Sequence, residues 1–228
     1  MTSNYFITGT DTNVGKTYIS ICLLKAFSNA GFQTLGIKPI SAGGDDAIKL
    51  QQASSIRLPL AIINPFDFKQ AIAPHIAAEI NSVKLSVAEL IKKTESALNH
   101  PADIRFIEGA GGLRVPLNQH ETMADFVKQL NIPIILVVGI RLGCINHAIL
   151  THEAILHSGL TCVGWIANCV VGRVNEKDAI IATLQQWIKA PYLVEVPYQA
   201  NTEKIGAELL SKLNPGNNMW MPAKSTLA

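Results

Sequence analysis

The stretch YFITGTDTNVGKTYIS, residues 5–20, constrains the fold of this chain more than any other. A short apolar run leads into a polar loop, which ends in Gly15-Lys16-Thr17 and passes directly into a helical pattern. A phosphate-binding loop has the form glycine, four residues, Gly-Lys-Ser/Thr, between a strand and a helix. Here the first glycine is off by one, because Thr10 stands five positions before the closing glycine and the glycine is Gly9. The working parts are nonetheless complete. Gly15 lets the backbone approach an oxyanion, Lys16 supplies charge for the β- and γ-phosphates, and Thr17 offers a hydroxyl to Mg²⁺. The stretch therefore reads as a phosphate loop lengthened by one residue, and it requires a strand on one side and a helix N-terminus on the other.

The rest of the chain alternates in the same way. Strand-like runs cover residues 5–8, 33–40, 103–108, 132–139, 161–170 and 192–197. Helical patterns cover 18–31, 45–54, 86–100, 122–130, 146–159, 176–188 and 202–213. Ser86 with Glu89 three residues on predicts a capping box, and Asn175 is the candidate cap of the 176–188 helix. The run IPIILVVG is apolar almost throughout, as expected of a strand buried on both faces. The pattern predicts an α/β chain: a three-layer, P-loop NTPase-like fold with a mostly parallel central sheet and helices on both faces. It is read as a single domain, residues 1–228, with a loosely ordered tail after Leu213. In such sheets ligands sit beyond the carboxyl ends of the strands.

Composition narrows the partners. The chain is 48% hydrophobic and 16% charged, with a formal net charge of +2. That is ample core material, with no electrostatic reason to expect nucleic acid. No signal peptide or membrane-spanning run is visible, and the 4 cysteines form no C-x-x-C pair. The expectation is a cytoplasmic protein with reduced thiols and no membrane partner. His147, His152 and His157 recur every five residues, a spacing that scatters them around a helix, so they are read as surface or capping residues.

Three further groups suit phosphate chemistry. Lys38, held by Pro39 at the end of the second strand, is placed to neutralise a transferring phosphoryl group. Glu108 ends an apolar strand and precedes Gly109-Ala110-Gly111-Gly112, in the manner of a Walker-B acid. Asp45 and Asp46 open a helix, and Mg²⁺ favours oxygen ligands of this kind. Asn168 and the segment Pro197, Tyr198, Gln199 end later strands at the same edge.

Together YFITGTDTNVGKT, GIKPI, IEGAGG, ILVVGIRLGCINHAILT and GWIAN resemble the dethiobiotin synthetase family, from about residue 5 to about residue 197. The resemblance implies an ATP- and Mg²⁺-dependent reaction of 7,8-diaminononanoate with CO₂ that yields dethiobiotin, ADP and phosphate through a carbamate and a carbamic-phosphoric anhydride. It implies catalytic roles for Lys16, Lys38 and Thr12, and Mg²⁺ ligation by Thr17, Asp46 and Glu108. For the nucleotide it implies Asn13, Val14, Gly15, Lys16, Thr17, Tyr18, Asp46, Glu108, Gly109, Ala110 and Gly111. Asn168, Cys169, Pro197, Tyr198, Gln199 and Glu203 complete that set. For the substrate it implies Ser41, with Leu142, Gly143, Cys144, Ile145 and Asn146 binding the diamine carboxylate in the partner subunit of a homodimer. Two positions depart from the family pattern. Asn13 stands where members often carry glutamate, and in Ser41-Ala42-Gly43 the hydroxyl falls one place early. Two rivals share the loop: an amidation synthetase of the cobyrinate type, which usually carries a fused glutaminase domain, and a partitioning or positioning ATPase, which usually carries an extra lysine early in the loop. Neither feature is seen here.

Overall fold

The computed structural model describes residues 2–213, and the expected loose tail after Leu213 lies outside them. Its elements in chain order are β1 (Ser3–Gly9), α1 (Lys16–Asn29), β2 (Thr34–Ile37), β3 (Ile40–Ala42), α2 (Asp46–Ala53), α3 (Leu60–Ile63), β4 (Phe66–Phe68), α4 (Pro74–Ile80) and α5 (Val87–Asn99). They continue with β5 (Ile104–Glu108), α6 (Met123–Leu130), β6 (Ile134–Ile140), α7 (Cys144–His157), β7 (Cys162–Cys169), α8 (Lys177–Trp187), β8 (Tyr192–Val196) and α9 (Thr202–Leu213).

Six strands form one parallel sheet in the order β2-β5-β1-β6-β7-β8. β1 lies inside it, pairing from Ser3↔Ile104 to Ile7↔Glu108 on one side and from Phe6↔Ile134 to Gly9↔Val137 on the other. The chain leaves β1 toward β2 at one edge and later fills the opposite side with β6, β7 and β8. The loops that follow β1 and β6 therefore depart in different directions and open a crevice at the carboxyl edge. Successive side chains point to opposite faces. Tyr5 and Ile7 join Ile135 and Val137 under α1, α2 and α9, whereas Phe6 joins Leu136 and Val138 under α5, α6 and α7. Every residue of β6 is buried, which accounts for its unbroken apolar run.

The structure departs from the sequence expectation at four places. The run 33–40 is not one strand. β2 stops at Ile37, Lys38 N–H turns away to donate to Ile63 O (2.8 Å), and Pro39 brings no N–H to a ladder. Beyond it β3 pairs in parallel with β4, forming a separate two-stranded sheet. That sheet, α3 and α4 were not foreseen, since segments of three to seven residues show too little periodicity to read. Helix α8 is preceded not by a capping Asn175 but by Glu176, which has φ 54° and makes no side-chain cap bond. The Ser86 cap is present, its side chain accepting from Glu89 N–H at 3.2 Å.

The fourth departure is His152, which is buried rather than on the surface. Its Nε2 accepts from Lys189 N–H (3.2 Å) and ties α7 to the end of α8, while Nδ1 has no partner. Burial lowers its pKa from the ordinary 6.5, against a smaller opposing effect of Glu153. The folded state thus favours neutral imidazole, whereas the unfolded chain takes up a proton as pH falls below 6.5. Stability present above that value should be lost as pH drops toward the folded pKa. Urea unfolding between pH 7.5 and 5.5 should show this decline, and His152→Gln should flatten it; equal slopes in the two proteins would show that His152 does not contribute.

Candidate active site

The long loop is folded around Val14. Its side chain, 1% exposed, fits against two glycines: a Cβ at Gly9 would lie 2.5 Å from Val14 Cγ2, and one at Gly139 would lie 2.9 Å from Val14 Cγ1. Asn13 and Gly15 take left-handed conformations, with φ of 60° and 90°. Asn168, reaching over from the end of β7, donates Nδ2–H to Val14 O at 2.8 Å. Lys16 curls back within the loop, its Nζ donating to Asp11 O at 3.1 Å. Burial, and then repulsion from Lys38, bring its pKa down to about 8, against the attraction of Glu108, Asp46 and Asp11. Arg141, at the end of β6, holds the other side of the loop through an ion pair with Asp11.

Beside the loop lies a buried charge cluster. Glu108 is fully buried and Lys38 is 3% exposed. Lys38 Nζ donates to Glu108 Oε1 (2.6 Å), Asp46 Oδ2 (3.0 Å) and Gly109 O (3.2 Å). Thr17 Oγ1 donates to Glu108 Oε1 at 2.8 Å. Burial alone would lower the pKa of Lys38, but Glu108 and Asp46 outweigh it and the pKa is raised. Burial would raise that of Asp46, yet Lys38 outweighs it and the pKa is lowered. Both partners are therefore charged near neutral pH. The second short sheet serves this arrangement: Asn64, just before β4, donates Nδ2–H to Lys38 O at 2.7 Å and fixes the turn that carries the lysine.

Carboxylate oxygens of Asp46 and Glu108 thus meet at the Lys38 ammonium, and the Thr17 hydroxyl joins them through Glu108. Such a donor set suits Mg²⁺, which takes one or two carboxylates and completes its shell with water and phosphate. Among the described residues no group of three or more His, Cys, Asp and Glu side chains could hold a metal.

The other sequence-predicted residues fall into three places. Thr12 and Gly111 face each other, with Thr12 Oγ1 3.7 Å from where a Gly111 Cβ would stand. The turn of Pro197, Tyr198 and Gln199 is closed by Ala200 N–H to Pro197 O (3.1 Å) and held to α1 by Tyr18 Oη donating to Ala200 O at 2.7 Å. Glu203 lies in the first turn of α9, its N–H donated to Asn201 Oδ1. Leu142 is fully exposed, Gly143 is left-handed at φ 87°, and Cys144, Ile145 and Asn146 open α7. The same helix contributes His147, Leu150, Thr151 and Ala154 to a cleft of about 490 Å³ whose other walls include Thr10, Asp11 and residues 112–116. Two residues are not drawn into the cluster. Ser41 Oγ is buried without a partner and lines a separate cleft with Asn64 and Asp67. Cys169 Sγ lies 4.0 Å from Glu195 Oε1 instead. Sequence reasoning missed Ser20, Asn64 and Arg141. Ser20 sits three residues beyond Thr17, on the same face of α1.

Comparison with known proteins agrees with this geometry. The family model described as an AAA domain matches residues 3–205. The ATP-dependent dethiobiotin synthetase BioD of Yersinia pestis bv. Antiqua (strain Angola) is 44% identical over 90% of this chain and 88% of that protein. BioD 1 of Escherichia coli O157:H7 is 43% identical over 91% of this chain and 96% of its own length. The chain belongs to the dethiobiotin synthetase family. Among solved structures, the septum site-determining protein MinD of Pyrococcus horikoshii, complexed with Mg-ADP, superposes with a TM-score of 0.63 and 17% identity. It covers 97% of this chain and 100% of that one. At that identity the likeness shows the fold, the P-loop NTPase-like three-layer architecture.

In this dethiobiotin synthetase family chain Gly15 has no room for a side chain. An added Cβ would lie 2.1 Å from Asn168 Nδ2, at φ +90°. The left-handed backbone alone costs a non-glycine residue roughly 1–2 kcal/mol. Gly15→Ala should therefore push Asn168 off Val14 O and open the loop. ADP affinity by calorimetric titration should fall by about ten-fold or more, the equivalent of 1.4 kcal/mol. An alanine variant that binds ADP as the parent does would contradict this picture of the loop.

Proposed function

We propose that this protein is an ATP- and Mg²⁺-dependent dethiobiotin synthase of the cytoplasm, carboxylating 7,8-diaminononanoate with CO₂ and closing the cyclic urea. One observation carries the reading: in a chain more than 40% identical to named synthetases, hydrogen bonds join Lys38, Thr17, Asp46 and Glu108 at the sheet edge, and Lys16 lies close enough to feel the charges of Lys38, Glu108 and Asp46. No helix among the described residues is long and apolar enough to cross a membrane.

On this reading the chemistry is the one that the family resemblance implies. One amine of the substrate adds to CO₂, loses a proton and becomes a carbamate. A carbamate oxygen attacks the γ-phosphorus, ADP departs, and a carbamic-phosphoric anhydride results. The second amine then attacks the carbamoyl carbon and phosphate leaves. Phosphoryl transfer gives the protein little covalent work, so catalysis is positioning and charge stabilisation. Thr17, Asp46 and Glu108 would hold Mg²⁺, which supplies charge neutralisation for the phosphates. Lys16 lies on the loop side, where β- and γ-phosphate oxygens come to rest against the α1 N-terminus. Lys38 lies between that point and the substrate side, placed to bind both the carbamate and the γ-phosphate. Asn168 would read the adenine, with Pro197, Tyr198 and Gln199 beside the base.

The same reading makes the protein a homodimer, with residues 142–146 of one subunit receiving the diamine carboxylate at the partner's site. Two features support it. The segment lies at the α7 N-terminus, where a helix favours an anion, and Leu142 is fully exposed, with Leu150 and Leu156 also exposed on the same helix.

The deciding assay mixes the protein with ATP, Mg²⁺, bicarbonate and 7,8-diaminononanoate. Phosphate release must depend on the diamine and be matched by dethiobiotin; release that ignores the diamine would defeat the assignment. Lys38→Leu and Lys16→Gln should each lower kcat by about 10² or more, the loss typical of removing one charge-stabilising donor.

A further inference from the structure

We propose that Ser20, with Thr17, forms a hydroxyl clamp on Glu108, and that Ser20 is the positioning residue that keeps this carboxylate aimed when the metal site is used; the inference rests on the functional reading above. Thr17 and Ser20 are three residues apart on α1 and meet the same carboxylate. Thr17 Oγ1 lies 2.8 Å from Oε1, and Ser20 Oγ lies 3.0 Å from Oε2. Ser20 is fully buried, so it acts on the site only through its neighbours.

The ordinary role of such a serine would be a bond back to the preceding turn, and Lys16 O is indeed 2.9 Å from Ser20 Oγ. Ser20 has one hydroxyl hydrogen and two acceptors within reach. A charged carboxylate makes roughly twice as strong a bond as a neutral carbonyl. Lys16 O already accepts from the N–H of residue 20 in the helix ladder. With the hydrogen directed to Lys16 O instead, a hydroxyl lone pair would face a buried anionic oxygen at 3.0 Å. The hydrogen therefore belongs to Glu108 Oε2.

The two ends of the clamp do different jobs. Oε1 is the oxygen that meets Thr17, and it also accepts from Lys38, whose ammonium links it to Asp46. When Thr17 directs its hydroxyl to another partner, Glu108 loses a donor at Oε1. Ser20 still holds Oε2, so the carboxylate does not rotate.

The test reads Mn²⁺ binding to the ADP complex by electron paramagnetic resonance. Ser20→Ala should weaken Mn²⁺ binding by about ten-fold, the lower end of the effect of losing a hydrogen-bond partner to a ligand. On a Glu108→Gln background the same substitution should add no loss, because its route is gone. Parental Mn²⁺ affinity in folded Ser20→Ala would overturn the proposal, and so would an equal loss on both backgrounds. Should Ser20→Ala not fold, Ser20→Cys decides: its thiol keeps the shape but donates weakly, so undiminished Mn²⁺ affinity would refute the clamp. The readout needs no diamine. A chain that makes no dethiobiotin yet loses Mn²⁺ on Ser20→Ala would sink the functional reading and leave the clamp standing.

Discussion

The contact between Lys38 and Glu108 is the constraint around which the rest of the structure is arranged. Two opposite charges, one fully buried and one nearly so, stand 2.6 Å apart at the carboxyl edge of the sheet. Desolvating such a pair costs several kcal/mol per ion, which their attraction repays only with good geometry and additional hydrogen bonds. Those bonds are present: Thr17 and Ser20 on the carboxylate, Asp46 and Gly109 O on the ammonium. An apolar pair of similar size would stabilise the fold as well or better. Charge here therefore points to function rather than stability, and it lies where parallel sheets place their ligands.

Each flanking element can be understood as support for that contact. β5 delivers Glu108 at its last residue. β2 ends one residue before Lys38, and Asn64 then locks the turn through Lys38 O. α2 begins at Asp46, so that carboxylate sits at a helix N-terminus, where negative charge is favoured. The lengthened loop fits the same scheme. The additional residue is absorbed by the Val14 side chain buried between Gly9 and Gly139, and the backbone still reaches the α1 N-terminus with Gly15 left-handed. Asn168 touches this loop at Val14 O, so the residue proposed to read the base also fixes the segment that holds the phosphates.

What the sequence disclosed follows from how local each signal is. Gly15-Lys16-Thr17 between strand and helix, the apolar run of β6 and the Ser86 cap are encoded within a few residues and were readable. The layering followed because alternating strands and helices permit few arrangements. The turn at Lys38 was half visible. Lys38 was placed at a strand end, but the run 33–40 was read as one strand, and β3, β4 and Asn64 become meaningful only once residues 26 positions apart meet through the Asn64 bond to Lys38 O. Ser20 was hidden for another reason. A serine within a helix pattern carries no distinctive spacing, and its partner lies 88 residues away. His152 was misread because a five-residue interval describes the placement of histidines relative to one another and says nothing about the element packed against the helix.

The likeness to MinD separates what the scaffold provides from what it does not. At 17% identity the likeness extends to the fold alone, and function has to be argued from the residues of the site. A fold does not by itself account for a second lysine bonded to two carboxylates. Phosphate charge alone can be met by Lys16 and a divalent cation. A further buried ammonium is warranted if a second anion must be brought up to the phosphate against electrostatic repulsion. That is the condition imposed by a carbamate attacking a γ-phosphoryl group. Under the proposed function, the short β3-β4 sheet and the segment from Lys38 to Asp46 would adapt a nucleotide-binding fold to joining two anions, through residues that leave the main sheet.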